Sequence, residues 1–304
     1  MYSDAVLKAD QDRITQRANQ LFETGLMDFL TATERASVAG IDLDLPLSRQ
    51  SPLSASAKTF GGVPTLIMPI STLKFIEDLS LAYAWRYIHD YSLEPMDEYM
   101  GMLRYRNKAE FPNGVRPPPL TAMGVPLDVW KKDKRVDDLS LRFRNTAWAF
   151  VLAHELGHLR YKHEDTNQSP QQIQEQEEIA DAFAVDLLGR TDTIPMGAIL
   201  WFQASAVFTK NRSDFDSEAQ YRNALDNELK HPINAARLRS LAEIMGQQAS
   251  QARDLDGADV LAYISGQLEG IAVILADPEM QLMIKRCSME RDLAELQRTQ
   301  DRPC

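Results

Sequence analysis

The chain has 304 residues, 44% of them hydrophobic and 25% charged, an ordinary globular balance with enough sequence for one large core or two smaller ones. Its formal net charge of −11 argues against a nucleic-acid partner and against an anionic lipid surface. The opening Met1-Tyr-Ser-Asp-Ala-Val-Leu-Lys-Ala-Asp has acidic groups and no apolar core, unlike a signal peptide, and Cys287 and Cys304 suggest neither a disulfide framework nor a zinc-binding pair, so a reducing cytoplasm is expected.

In chain order, residues 1–57 read as an N-terminal helical accessory segment, helical to Gly40 and then a Leu/Pro/Ser-rich connection. A short strand near 63–70 leads into a helix from about 72 to 90. Residues 92–137 read as irregular, with Pro112, Pro117, Pro118, Pro119 and Pro126; a loop of that length is either a lid or substrate rim, or a packed crossover.

The run Asn145-Thr-Ala-Trp-Ala-Phe-Val-Leu-Ala153 is apolar nearly all round, the mark of a helix buried inside a domain. Asp137, Asp138 and Ser140 offer N-caps, and Arg160, Lys162 and His163 suit the C-terminal end of the dipole, which predicts a helix from about 138 to 162. It carries His154-Glu155-Leu156-Gly157-His158, two histidines four residues apart that share a face and can grip one metal ion, with a glutamate between them: the zinc-hydrolase pattern. Gly157 is costly in a helix interior, so another backbone or a ligand is expected to approach it closely. The bland alternative is a buried helix whose histidines only hydrogen-bond in the core.

A catalytic zinc takes three protein ligands and leaves the fourth position to water. Ser169-Pro170-Gln171-Gln172 reads as a capping box with proline at the first helical position, and Gly189 closes a helix from about 170 to 188. Ile173, Ala180, Ala184, Leu187 and Leu188 form its apolar stripe, and Glu177 falls inside that stripe while Glu175 and Glu178 are rotated away. A carboxylate on a core face is costly unless paired or bound to metal, which favours Glu177 over Glu178 as third ligand. About seven residues, Asp165 and Asn167 among them, connect the two helices and suit an antiparallel pair. At 1.5 Å rise per residue, His154 lies about 12 Å before the turn and Glu177 about 10 Å after it, so the ligands are level. Asp181, one turn past Glu177, is spaced to accept the second ring N–H of a ligand histidine, unless it is a plain surface aspartate.

Phe150-Val-Leu-Ala-His154-Glu155-Leu-Gly-His158 followed by Glu177-Glu-Ile-Ala-Asp181-Ala-Phe-Ala184 resembles the gluzincin metallopeptidases of the HtpX and CAAX-prenyl-endopeptidase type, which pair HExxH with a downstream ExxxD. The resemblance implies Glu177 as third zinc ligand and Asp181 as its support. His231-Pro232 followed by Arg237 resembles a His-Pro segment and arginine near the active site of that type, and 59–68 resembles its substrate-binding edge strand. The chain lacks the long membrane helices of the membrane members and has a shorter gap to the third ligand. In this it is similar to soluble ImmA/IrrE-type regulatory peptidases, and a Lit-like phage-exclusion protease stays open as an alternative. The resemblance covers 58–72 and 143–245 and implies a zincin-like core over 58–250, with 251–304 a C-terminal helical segment.

Further helices are expected near 195–209, 232–245, 257–275 and 278–298, and the longest apolar stretch, Met196 to Phe208, is too short for a bilayer span of about 20 residues. The expected fold is α+β and mostly α, with one small sheet. The expected activity is that of a soluble zinc endopeptidase with one zinc ion per chain, acting on a peptide or protein; Glu155 is the general base and His231, Arg237 or Tyr221 the oxyanion donor, His231 first among them. For His231 the competing role is a helix cap before Pro232. Two alternatives stay open for the whole: an inactive regulatory zinc module, and a zinc hydrolase with a non-peptide substrate.

Overall fold

A computed structural model describes residues 1–47, 51–163, 168–210, 214–227, 231–252 and 255–297. Asp165, Asn167 and Cys304 lie outside them. Helix α1 (Asp4–Gly25) begins at Ser3, whose side chain accepts from the Val6 N–H, and α2 (Ala32–Ser37) opens with a Thr31/Glu34 capping box. Leu7, Ile14, Ala18 and Phe22 line one face of α1 and join the same buried cluster as Trp148 and Phe150 further along the chain. Each large apolar side chain removed from water in this way contributes roughly 1.5–3 kcal/mol.

Strands β1 (Asp42–Asp44), β2 (Ser56–Phe60) and β3 (Val63–Ile67) form a three-stranded sheet in the order β1-β3-β2, with β1 parallel and β2 antiparallel to β3. Gly61 and Gly62 turn the hairpin at φ +56° and +88°, conformations that favour glycine and match the twist of a two-residue hairpin loop. The strand expected within 59–68 therefore corrects in place: β3 is the middle strand, and the sheet edge beside it is β2.

Helix α3 (Ile70–Ile88) is buried over most of its length, and the Trp148 indole N–H donates to its Leu73 carbonyl at 3.2 Å. The stretch 92–137 is more ordered than its prolines suggest. It holds α4 (Glu94–Tyr105), α5 (Pro119–Ala122) and α6 (Val129–Lys132), and Met96, Tyr99, Met100 and Leu103 carry the spacing of a buried helical face into a second core cluster. Pro95 sits in the first turn of α4, where a missing N–H does no harm.

Helix α7 (Lys134–Tyr161) runs through the centre and packs on α8 (Pro170–Arg190) and on α9 (Gly197–Phe208). The expected capping box at Ser169 and Gln172 is present. Helices α10 (Glu218–Asn227), α11 (Ala235–Gln251), α12 (Leu255–Ala276), α13 (Pro278–Glu290) and α14 (Leu293–Leu296) complete the described chain. Among the described residues α12, not α9, is the helix long and apolar enough by length and composition to cross a membrane; here Leu261, Ile264, Leu268 and Ala272 are buried, and the helix packs against α11. The helix expected over 278–298 breaks at Arg291, and Asp292 caps a new one. Cys287 is buried near the end of α13.

Candidate metal centre

His154, Glu155 and Gly157 are buried in the last third of α7, and His158 follows at its emerging end. Glu177 and Asp181 lie on the inward stripe of α8, 2% and 1% exposed, as the apolar spacing requires. Glu175 and Glu178 face away and accept from Gln171 and Gln174 on their own helix. His158 meets Glu177, one turn before Asp181, while His154 meets Asp181, so α7 and α8 run in opposite senses at the site. Their close approach depends on Gly157: a Cβ there would lie 3.1 Å from the Ala180 Cα, 3.3 Å from its carbonyl oxygen and 3.3 Å from the Phe183 ring.

The His154 and His158 Nε2 atoms are 3.1 Å apart, and the Glu177 carboxylate faces both, Oε2 at 3.5 Å from His154 Nε2 and Oε1 at 3.3 Å from His158 Nε2. His231 joins them. Its Nδ1 lies 3.0 Å from Glu177 Oε1 and its Nε2 3.4 Å from Glu155 Oε1. Donor atoms of His154, His158, Glu177 and His231 all fall within 4.8 Å of one another, a set able to hold a metal ion.

Around this set sits a supporting ring. Asp181 Oδ1 is 2.8 Å from His154 Nδ1, within charge contact although the N–H is not aligned for a strict hydrogen bond. Arg237 on α11 donates from Nε and Nη2 to the two Asp181 oxygens at 2.7 and 2.9 Å, and its Nη1 lies 2.5 Å from Glu177 Oε2. Helix α11 is capped by Asn234, which accepts from the Arg237 N–H, so His231 is not the cap of this helix. His163 supplies a contact that sequence reasoning assigned only to the helix dipole. Lys162 adopts a left-handed C-cap at φ 54°, which turns the chain so that His163 donates its backbone N–H to the His158 carbonyl at 3.0 Å and sets its Nδ1 2.9 Å from His158 Nδ1. The signal for it was a third histidine five residues past His158, just beyond the helix end. Tyr221 lies elsewhere: it lines a surface depression with Gln174, Glu178 and Pro232, outside the histidine cluster, which corrects its candidacy as an oxyanion donor.

The electrostatics favour a cation. Three buried carboxylates, Glu155, Glu177 and Asp181, face one buried guanidinium, Arg237, which leaves two negative charges if the imidazoles are neutral. The titration of the groups responds to that excess. Burial disfavours a charged His154, yet Asp181 and then Glu177 overcome it and push the imidazole up to about 10. Burial would likewise raise Glu177, but Arg237 and then His231 hold it well below the usual carboxylate range. For His158 burial dominates and lowers the pKa. Glu155 Oε2 is buried with no hydrogen-bond partner, an oxygen free to accept a proton from a nearby group. A divalent ion matches both the charge deficit and the donor chemistry, two imidazole nitrogens and a carboxylate.

The centre opens into a cavity of about 460 Å³ walled by Leu53 and Ala55, which precede β2, by Leu103 and Arg116 from 92–137, and by Trp201 and Phe208 of α9. His154, Glu155 and His231 of the centre are among the residues that line it. The profile of the peptidase U49 family matches residues 100–252, half of the 304-residue chain and the part that contains every residue of this centre. No curated protein and no solved structure matches the chain.

Proposed function

The chain belongs to the peptidase U49 family, and from that premise we propose that it is a zinc-dependent endopeptidase with His154, His158 and Glu177 as ligands and Glu155 as general base. One observation carries the reading: metal-ligating atoms converge within 4.8 Å in a buried pocket of excess negative charge, beside a glutamate that keeps one unpartnered oxygen. A zinc ion bound there supplies Lewis acidity toward the scissile carbonyl and acidifies a water molecule. Glu155 takes the proton of the attacking water and passes it to the leaving amine. Asp181 faces the His154 Nδ1 edge in charge contact, His163 meets His158 at its Nδ1, and Arg237 balances the carboxylates; such partners fix ligand tautomer and orientation. His231, whose Nε2 lies 3.4 Å from Glu155, donates to the tetrahedral oxyanion. An extended substrate adds to the β2 edge, a role supported by Ala55 at the cavity wall immediately before that strand. The finer likeness to the HtpX and CAAX type is part of the same proposal.

His231 also supports a second reading. As a fourth protein ligand it would close the coordination shell in the manner of structural zinc sites, and the chain would then be a zinc-holding regulatory module. Glu155 favours the enzyme, because a closed structural site has no use for a buried base beside the metal. Identification of new protein termini in cells expressing the chain, compared with its Glu155→Gln variant, tests the choice. Termini that appear with the parent chain and vanish with the variant are expected; identical termini sets in both would sink the peptidase reading.

A further inference from the structure

The cavity that opens from the centre is basic on its own account, although the chain as a whole is acidic. Arg104, Arg116, Lys210 and Arg237 all line it, against Glu155 as its acidic lining residue. Three of these cations are already engaged. Arg237 is held by Asp181 and Glu177, Arg104 pairs with Asp214 and donates to the Val207 carbonyl at 2.8 Å, and Lys210 stands 5.9 Å from the centre of the Phe215 ring. Arg116 has no hydrogen bond or ion pair to any described residue, and its Nε is buried without a partner.

The local backbone holds Arg116 ready. Phe111 anchors the preceding turn in the core, and the Tyr99 hydroxyl donates to the Pro117 carbonyl at 2.7 Å, directly after Arg116. Pro117, Pro118 and Pro119 then fix φ for three successive residues, so the chain that presents the guanidinium has little freedom to lose on binding. The Arg116 guanidinium shares the cavity lining with the apolar Leu53, Leu103, Val151, Trp201 and Phe208 and with the hydroxyls of Ser54, Ser205 and Thr209, and a planar guanidinium is suited to a carboxylate, which it can hold through two parallel hydrogen bonds.

We propose that Arg116 is a specificity-determining residue that binds a substrate carboxylate, so that the site selects chains bearing an acidic side chain, or a free C-terminal carboxylate, near the bond to be cut. This rests on the peptidase reading above and names the substrate chemistry for it.

The test measures binding apart from turnover. Fluorescent, C-terminally amidated decapeptides with a single Glu at each position in turn are titrated into the Glu155→Gln chain beside the same peptides with Gln. A second pair of peptides, without acidic side chains, compares a free with an amidated C-terminus. At least one carboxylate peptide should bind about tenfold or more tightly than its uncharged isostere, as expected for a charge-assisted bidentate pair. The margin should vanish in Glu155→Gln/Arg116→Gln, and Arg116→Glu should turn it toward Lys-bearing peptides. Whether the margin appears in the Glu series or the free-terminus pair identifies the source of the carboxylate. Equal or undetectable affinities in both comparisons overturn the proposal, and so does a margin that survives Arg116→Gln undiminished. The first comparison keeps Arg116 intact, so it decides even if the Arg116 variants fail to fold. Hydrolysis by the parent chain with no acidic preference removes the role of Arg116 and leaves the peptidase reading standing; acid-selective binding with no hydrolysis does the reverse.

Discussion

Gly157 offers the sharpest structural test, because the site depends on the distance between two helices that touch there. Replacing it with alanine should raise helix propensity by roughly 1 kcal/mol if nothing opposed the new methyl group. Something does: the added Cβ would stand 3.1 Å from the Ala180 Cα, against an ordinary carbon–carbon contact of about 3.5–4.0 Å. Ala180 is backbone in the middle of α8 and has no rotamer to change, so α8 must move outward by about 0.4 Å or more. Glu177 and Asp181, one turn before and one residue after Ala180, move with it. Metal coordination tolerates roughly 0.2 Å, so the ligand set is spoiled before the fold is. Strain of about 1–3 kcal/mol set against the propensity gain leaves Gly157→Ala destabilised by roughly 2 kcal/mol at most. Metal affinity should fall about tenfold or more, the scale of loss seen when ligand orientation is disturbed. Competition titration with a chromophoric zinc chelator beside a urea melt measures both quantities. Gly270→Ala is the control: it lies in α12 with nothing within 4 Å of its added Cβ, and should gain up to about 1 kcal/mol with unchanged metal affinity. A Gly157→Ala chain with parental zinc affinity and a raised melting temperature would refute the close-packing argument.

Three further predictions follow from named contacts. Glu177→Ala should lose bound zinc while Glu178→Ala, whose carboxylate faces Gln174, keeps about one ion per chain; equal metal content by elemental analysis would overturn the ligand choice. His231→Ala should lower kcat and kcat/KM together with zinc content and KM little changed, since an oxyanion donor acts in the transition state, whereas a fall in zinc content would identify a fourth ligand. Glu77 is half-buried, which would raise its pKa, but the salt bridges with Arg13, Lys74 and Arg144 bring it from 4.5 to about 2. A depressed carboxylate contributes its stability above the unfolded pKa and loses it as pH falls through the folded one, so Glu77→Gln should cost roughly 3 kcal/mol at pH 7 and half of that or less at pH 3. Urea unfolding at the two pH values checks this, and an undiminished gap at pH 3 would contradict it.

The centre was legible in the sequence because each of its parts leaves a local periodic mark. An apolar run around His154, a glycine at a helix contact, and one glutamate of three inside an apolar stripe each state a burial requirement that only a paired site meets. What the sequence hid is non-local. Strand β1 has three residues and no pattern of its own, so nothing announced that β3 would be flanked on both sides and that β2 would form the edge. Helix α4 was masked by the prolines that follow it, although Met96, Tyr99, Met100 and Leu103 carry helical spacing. Helix α12 was read as a helix, but its apolar length was broken to the eye by Gly266, Glu269 and Gly270. His231 approached the ligands more closely than expected because α11 starts at Ala235 behind an Asn234 cap, which leaves His231 in the preceding loop, directed at Glu177.

The most direct measurement is reactivation of the stripped chain. Once a substrate has been found from the new termini, the chain is freed of metal with a chelator and its hydrolysis of that substrate is followed as zinc is added back. The account predicts no turnover without metal, recovery that saturates near one ion per chain, and no recovery in Glu155→Gln although it binds the same ion. Full turnover by the metal-free chain would contradict it.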